Sequence, residues 1–85
     1  MQFTKGKAYL IKWHDHWAYH NTWTSAHDQE AELTPMNVTS IGICIGDSES
    51  VVRITATMDQ NGAFGGDITI MKNAIENAWE LVGVL

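Results

Sequence analysis

Between Trp13 and Trp23 the chain reads Trp-His-Asp-His-Trp-Ala-Tyr-His-Asn-Thr-Trp, a window holding three of its four tryptophans and three of its four histidines. Two chemistries suit those residue types. Neutral imidazoles with a carboxylate are suitable zinc ligands, so His14, His16 and His20 with Asp15 form a candidate metal set, and a metal-dependent hydrolase would follow from it. The spacing argues against that set. On a strand His14 and His16 share a face while Asp15 points away, and His20 returns only through a loop. No second cluster follows except His27. The preferred reading therefore leaves these histidines in solvent or donating to nearby carbonyls, with no metal and no cofactor.

The second chemistry is recognition through rings. Trp17, Tyr19 and Trp23 lie among His, Asn and Thr without a clean period, so at least one ring is expected at the surface. Trp and Tyr are enriched at interface hot spots, and their rings also stack on nucleobases. Trp13 and Trp79 are expected in the core, where indoles serve as bulk.

Other candidate chemistry is weaker. Asp59-Gln-Asn-Gly-Ala-Phe-Gly-Gly66 reads as a mobile or ligand-facing loop, and its Phe64 joins Trp17, Tyr19 and Trp23 as a binding candidate. It lacks both the phosphate-loop lysine and G-x-G-x-x-G spacing, and Asp67 would repel a phosphate beside it. Cys44 sits among isoleucines with no basic neighbour to activate it, which makes it a small core filler and not a nucleophile. Glu30 with Glu32, and Asp47 with Glu49, fall in expected turns as solvent-facing charges. No catalytic constellation emerges.

These side chains must be positioned by a chain of 85 residues, 45% hydrophobic and 18% charged, which has room for one modest core and a single domain over residues 1–85. Five Lys and Arg against ten Asp and Glu give a formal charge of −5, with no basic stripe, so direct nucleic-acid binding is not expected. The acidic excess is uneven: three cations face four acids in residues 1–35, and two face six in residues 36–85. One cysteine cannot close an internal disulfide, and neither a signal-peptide stretch nor a membrane-spanning run is visible, so the expectation is a soluble protein of the cytoplasm.

The pattern is mainly strand. From Lys7 to Trp13, Tyr9, Ile11 and Trp13 alternate with Ala8, Leu10 and Lys12, the period of a half-buried strand. Val38 to Ile45 and Val51 to Met58 flank Gly46-Asp47-Ser48-Glu49, a hairpin with a four-residue loop. On its first arm Thr39, Ile41, Ile43 and Ile45 share a face; on its second, Val52, Ile54, Ala56 and Met58 oppose Val51, Arg53, Thr55 and Thr57, with Arg53 on the wetter side. Ser25 to Leu33 suits one short helix, ended by Thr34-Pro35. Asp67 to Ile70 reads as a short strand with Ile68 and Ile70 inward. The last stretch fits either a helix through Met71, Ile75, Ala78, Trp79 and Val82, which its spacing alone favours, or a strand over Ala78 to Val84 after one tight turn.

The order Trp13-x-Asp15, Trp23, Pro35, Thr39-Ser-Ile-Gly42, Val51-Val52-Arg-Ile, the Gly-rich loop and Ile68-Thr-Ile-Met-Lys-Asn-Ala-Ile75 resembles a group of small bacteriophage and prophage proteins. The resemblance runs from about Ala8 to Leu81. It departs from the group's pattern at Met71, where proline is usual, and at Ile43, where an aromatic often follows the glycine. It implies a small, partly open, five-stranded SH3-like or Sm-like barrel, in which Lys72 to Ile75 form a 3₁₀ turn and Ala78 to Val84 the closing strand. An α+β fold with a C-terminal helix is the alternative.

The function expected on this basis is that of a non-enzymatic phage accessory protein that binds and modulates a host bacterial protein, such as a defence or nucleic-acid-handling factor, in the host cytoplasm. Its acidic surface would suit a basic partner. An oligomeric binder that sequesters a nucleotide signal by Trp and Tyr stacking is the alternative, and the histidine-based hydrolase the second one. Edge strands in so small a barrel also point to a homo-oligomer.

Overall fold

The computed structural model describes residues 1–15 and 36–83. Five strands follow in chain order: β1 (Ala8–Asp15), β2 (Met36–Asp47), β3 (Val51–Met58), β4 (Phe64–Met71) and β5 (Ile75–Leu81), with a 3₁₀ turn at Lys72–Ala74 before the last. They form one antiparallel sheet in the order β4-β3-β2-β1-β5. The sheet does not close, and the architecture is that of a small, partly open barrel. The strand reading of the C-terminal stretch holds over the helical one, although β5 begins three residues before Ala78. The expected helix at Ser25 to Leu33 lies outside the described residues.

β2 is the strand on which the sheet turns. It pairs with β1 from Met36 to Ile43 and with β3 from Ile43 to Asp47, so it changes partners in mid-course. Gly42 stands at that corner. A Cβ there would lie 2.8 Å from the Thr55 carbonyl oxygen and 3.1 Å from Ile54 Cβ, so only glycine lets β3 come this close. Three residues later Ile45 is an unpaired extra between Cys44 and Gly46, a bulge that sharpens the bend.

The core is small and continuous: Phe3, Tyr9, Ile11, Cys44, Val52, Ile54 and Ile70, with Trp13, Ile75 and Ala78 packed against it. Ile11, Ile54 and Ile70 contribute the largest fully buried apolar side chains, and burying each of them stabilises the fold by roughly 1.5–3 kcal/mol. The alternation of β1 behaves as its sequence implies, with Tyr9 and Ile11 buried. On β2 the inward face is that of Gly42 and Cys44, and the isoleucine face turns outward, leaving Ile41 60% exposed. Small inward residues are what the close approach at the corner demands.

Three further expectations are corrected. Trp79 is 47% exposed and not core, because β5 presents it on the same outer face as Leu10, its partner on β1. Thr55 is buried although it shares its strand face with Arg53; its hydroxyl lies 2.8 Å from the Gly65 carbonyl oxygen and 3.0 Å from that of Thr57, which satisfies it. The Gly-rich stretch is not a loop throughout. Asp59 Oδ1 accepts from the backbone N–H groups of Asn61 and Ala63, both at 2.9 Å, which ties a tight turn, and β4 starts at Phe64. Ile68 faces inward as expected, opposite the buried Ile54, and is 37% exposed because among the described residues no strand lies beyond β4.

Candidate functional site

The outer face of the sheet carries more apolar surface than a small barrel needs to expose. Leu10 on β1 has Ile41 of β2 opposite it on one side and Trp79 of β5 on the other. The next row places Ala8 between Ile43 and Leu81. Residues paired across antiparallel strands stand on one face, so Ile41, Leu10, Trp79, Ile43 and Leu81 make a contiguous patch. Its polar rim is formed by Lys12, whose Nζ stands 5.9 Å from the Trp79 ring centroid. The cation over the indole holds the ring's orientation while leaving its edge to solvent.

The isoleucine row of β2 continues to a groove of about 280 Å³, lined by Ile45, Asp47, Ser48, Val51, Arg53, Phe64 and Thr69. Phe64, singled out from sequence, is 49% exposed and shares this groove with the only arginine of the chain. Gly66, at φ +70°, interrupts the regular extended course of β4 just after Phe64. Arg53 Nε donates to Thr69 Oγ1 at 2.9 Å and lies 3.9 Å from Asp67 Oδ2, both exposed.

At the bottom of the same groove Asp47 behaves differently from the solvated turn charge expected of it. Lys72 Nζ is 2.8 Å from its Oδ1 and also donates to the Met1 carbonyl oxygen at 2.8 Å, while the Phe3 N–H points at its Oδ2 at 3.4 Å. The hydrogen bond from Lys72 holds the Asp47 carboxyl below its ordinary value, with the Phe3 N–H adding to the effect against a partial cost of burial. The pair fastens the N-terminal segment to the 3₁₀ turn.

A second, more polar groove of about 250 Å³ lies where β1 ends and β2 begins, lined by Lys12, Trp13, Asn37, Thr39, Glu76, Asn77 and Trp79 among others. Trp13 is half-buried there and donates its indole N–H to Ser40 Oγ at 3.0 Å. Of the candidate metal set His14 and Asp15 are described, at the end of β1; His14 Nε2 lies 3.4 Å from Glu76 Oε2, where a bulge in β5 presents that carboxylate. Among the described residues no group of three or more metal-ligating side chains is formed. His16, His20, Trp17, Tyr19 and Trp23 lie outside the described residues. Cys44 is fully buried, and its thiol is directed at the Gly46 carbonyl oxygen at 3.5 Å.

Ile41 and Trp79 were missed as surface residues by sequence reasoning. The signal was present in the register: once Tyr9 and Ile11 are inward, Leu10 and its cross-strand partners must be outward. Fold and site together define a small, partly open β-barrel with an apolar outer face. Comparison with known proteins finds no matching family model, no matching curated protein and no matching solved structure. No helix among the described residues is long and apolar enough to cross a membrane.

Proposed function

We propose that this chain is a non-enzymatic accessory protein of a bacteriophage or prophage that docks on a host bacterial protein through the outer face of its sheet. The observation that carries the docking surface is the exposed row Ile41, Leu10 and Trp79, with Leu81 beside it. Contiguous apolar area with an aromatic and a charged margin is the composition of an interaction site. The phage setting rests on the sequence resemblance, and the acidic excess of residues 36–85 favours a basic partner, the charge character of nucleic-acid-handling factors.

The groove that joins Phe64 to Arg53 supports a second reading, in which a nucleotide signal stacks on the ring and pairs its phosphate with the guanidinium. The two readings separate experimentally. Tagged protein incubated with bacterial lysate retains a host polypeptide under the first, and the Ile41→Ser, Trp79→Ser double variant loses it while Phe64→Ala keeps it. Titration calorimetry with nucleotides gives heat under the second, abolished by Phe64→Ala. Retention by the double variant equal to wild type would overturn the docking proposal.

A further inference from the structure

Strand β4 is an edge of the sheet: it pairs with β3, and among the described residues no strand pairs with its other side. Exposed edges template further strands unless they carry charge, proline or irregularity. The opposite edge, β5, has such protection, with Glu76 and Glu80 projecting from it and a bulge opposite Lys12 and Trp13. β4 has little. Phe64–Met71 contains no lysine or proline, its single charge is Asp67, and Ile68 stays 37% exposed beside the buried Ile70.

We infer that β4 is the seam between two copies of this chain, paired antiparallel about a two-fold axis through Ile68. The register follows from three requirements. Paired residues must stand on the same face, so the axis passes through a residue and not between two. An axis at Asp67 would set identical carboxylates opposite each other, and one at Thr69 would set Asp67 opposite the partner's Met71. With the axis at Ile68, Asp67 faces the partner's Thr69, the residue that Arg53 already pairs with and bonds within its own chain.

Asp67 and the partner's Arg53 then stand two strands apart on one face, about 9.5 Å between Cα atoms, a span the two side chains bridge. The loose intrachain contact of Arg53 with Asp67, 3.9 Å and exposed, is exchanged for one across the seam, twice per dimer. On the inner face Ile68 meets its own copy, and Gly66 opposite the partner's Ile70 leaves that side chain its space. This inference stands independently of the docking proposal, because the outer patch around Trp79 lies at the far side of the sheet.

The test is sedimentation equilibrium over a range from about 10 μM to 1 mM, suited to a seam smaller than the about 800 Å² per partner of a standard interface. Wild type is expected to reach twice the 9.5 kDa chain mass within that range. Arg53→Glu alone and Asp67→Arg alone each place like charges across both contacts, and each should weaken self-association by about tenfold or more. Mixing the two variants restores complementarity at both contacts, so heterodimers should form with near wild-type affinity. Circular dichroism checks that each variant is folded, and Ile68→Cys should form a disulfide-linked dimer on mild oxidation while Met58→Cys does not. A wild-type chain that stays at its monomer mass, or variants that associate as well alone as when mixed, would overturn the seam.

Discussion

Asp47 and Asp67 are both aspartates beside a cation, in one groove and at its margin, and they live under opposite conditions. Asp47 meets Lys72 at 2.8 Å with side chains only 22% and 12% exposed, and its carboxylate is shared with the Phe3 N–H. Asp67 meets Arg53 at 3.9 Å with side chains 41% and 53% exposed. The first pair ties the end of β2 to the 3₁₀ turn and the N-terminal segment, so its loss frees that corner. The second closes nothing within the chain and remains available. Of these two ion pairs, the one that builds the fold is short, screened from solvent and shared, whereas the one that faces outward is long and solvated.

The contrast is sharpest along β4, where Ile70 and Ile68 are two residues apart on one face. Ile70→Ala removes a fully buried side chain and is expected to cost about 2–5 kcal/mol, whereas Ile68→Ala should cost under about 1 kcal/mol in the monomer. Urea midpoints at low micromolar concentration measure both; equal losses would show that the hairpin is core to its end. Gly42→Ala tests the corner of β2 by overpacking. The added methyl meets the Thr55 carbonyl at 2.8 Å, and a loss of about 1–3 kcal/mol is expected from the forced separation of β2 and β3.

The two aspartates then separate by pH. Because the Asp47 carboxyl is held below its ordinary value, its contribution to stability is complete above the ordinary aspartate range and is lost as pH falls through the lowered one. Asp47→Asn should therefore lower stability near neutral pH, by about 1–2 kcal/mol for the charge-assisted hydrogen bonds it weakens, and flatten the fall in stability between about pH 5 and pH 2. Thermal melts across that range provide the check. Asp67→Asn is expected to change neutral-pH stability by less than about 0.5 kcal/mol, as an exposed pair should.

Much of this layout is legible in the sequence because β periodicity is local. The alternation of Tyr9, Ile11 and Trp13 and the β-branched arms around residues 46–49 need only neighbouring residues to be read, whereas after Met71 the spacing alone favours a helix and the turn before Ile75 follows only from the resemblance. What escapes is set by pairing across strands. The isoleucines of β2 look inward by composition, yet the bend at Gly42 requires small residues inside and sends Ile41 out. Trp79 looks like core by type, but its partner Leu10 fixes it outside. Asp47 resembles any turn acid until Lys72, 25 positions on in sequence, is folded against it. Phe64 was legible as exposed because glycines surround it, while Trp17, Tyr19 and Trp23 fall outside the described residues.

The outer face around Trp79 is proposed to bind a partner without holding the barrel together, in contrast to the half-buried Trp13 on the neighbouring strand. Measuring unfolding free energy and host-protein affinity on the same Trp79→Ser preparation tests it most directly. The expected result is a stability within about 1 kcal/mol of wild type and an affinity weaker by about 2 kcal/mol or more, with Trp13→Ala failing instead by loss of about 3–5 kcal/mol of stability. A Trp79→Ser protein that melts as Trp13→Ala does, or that binds the partner unchanged, would contradict the account.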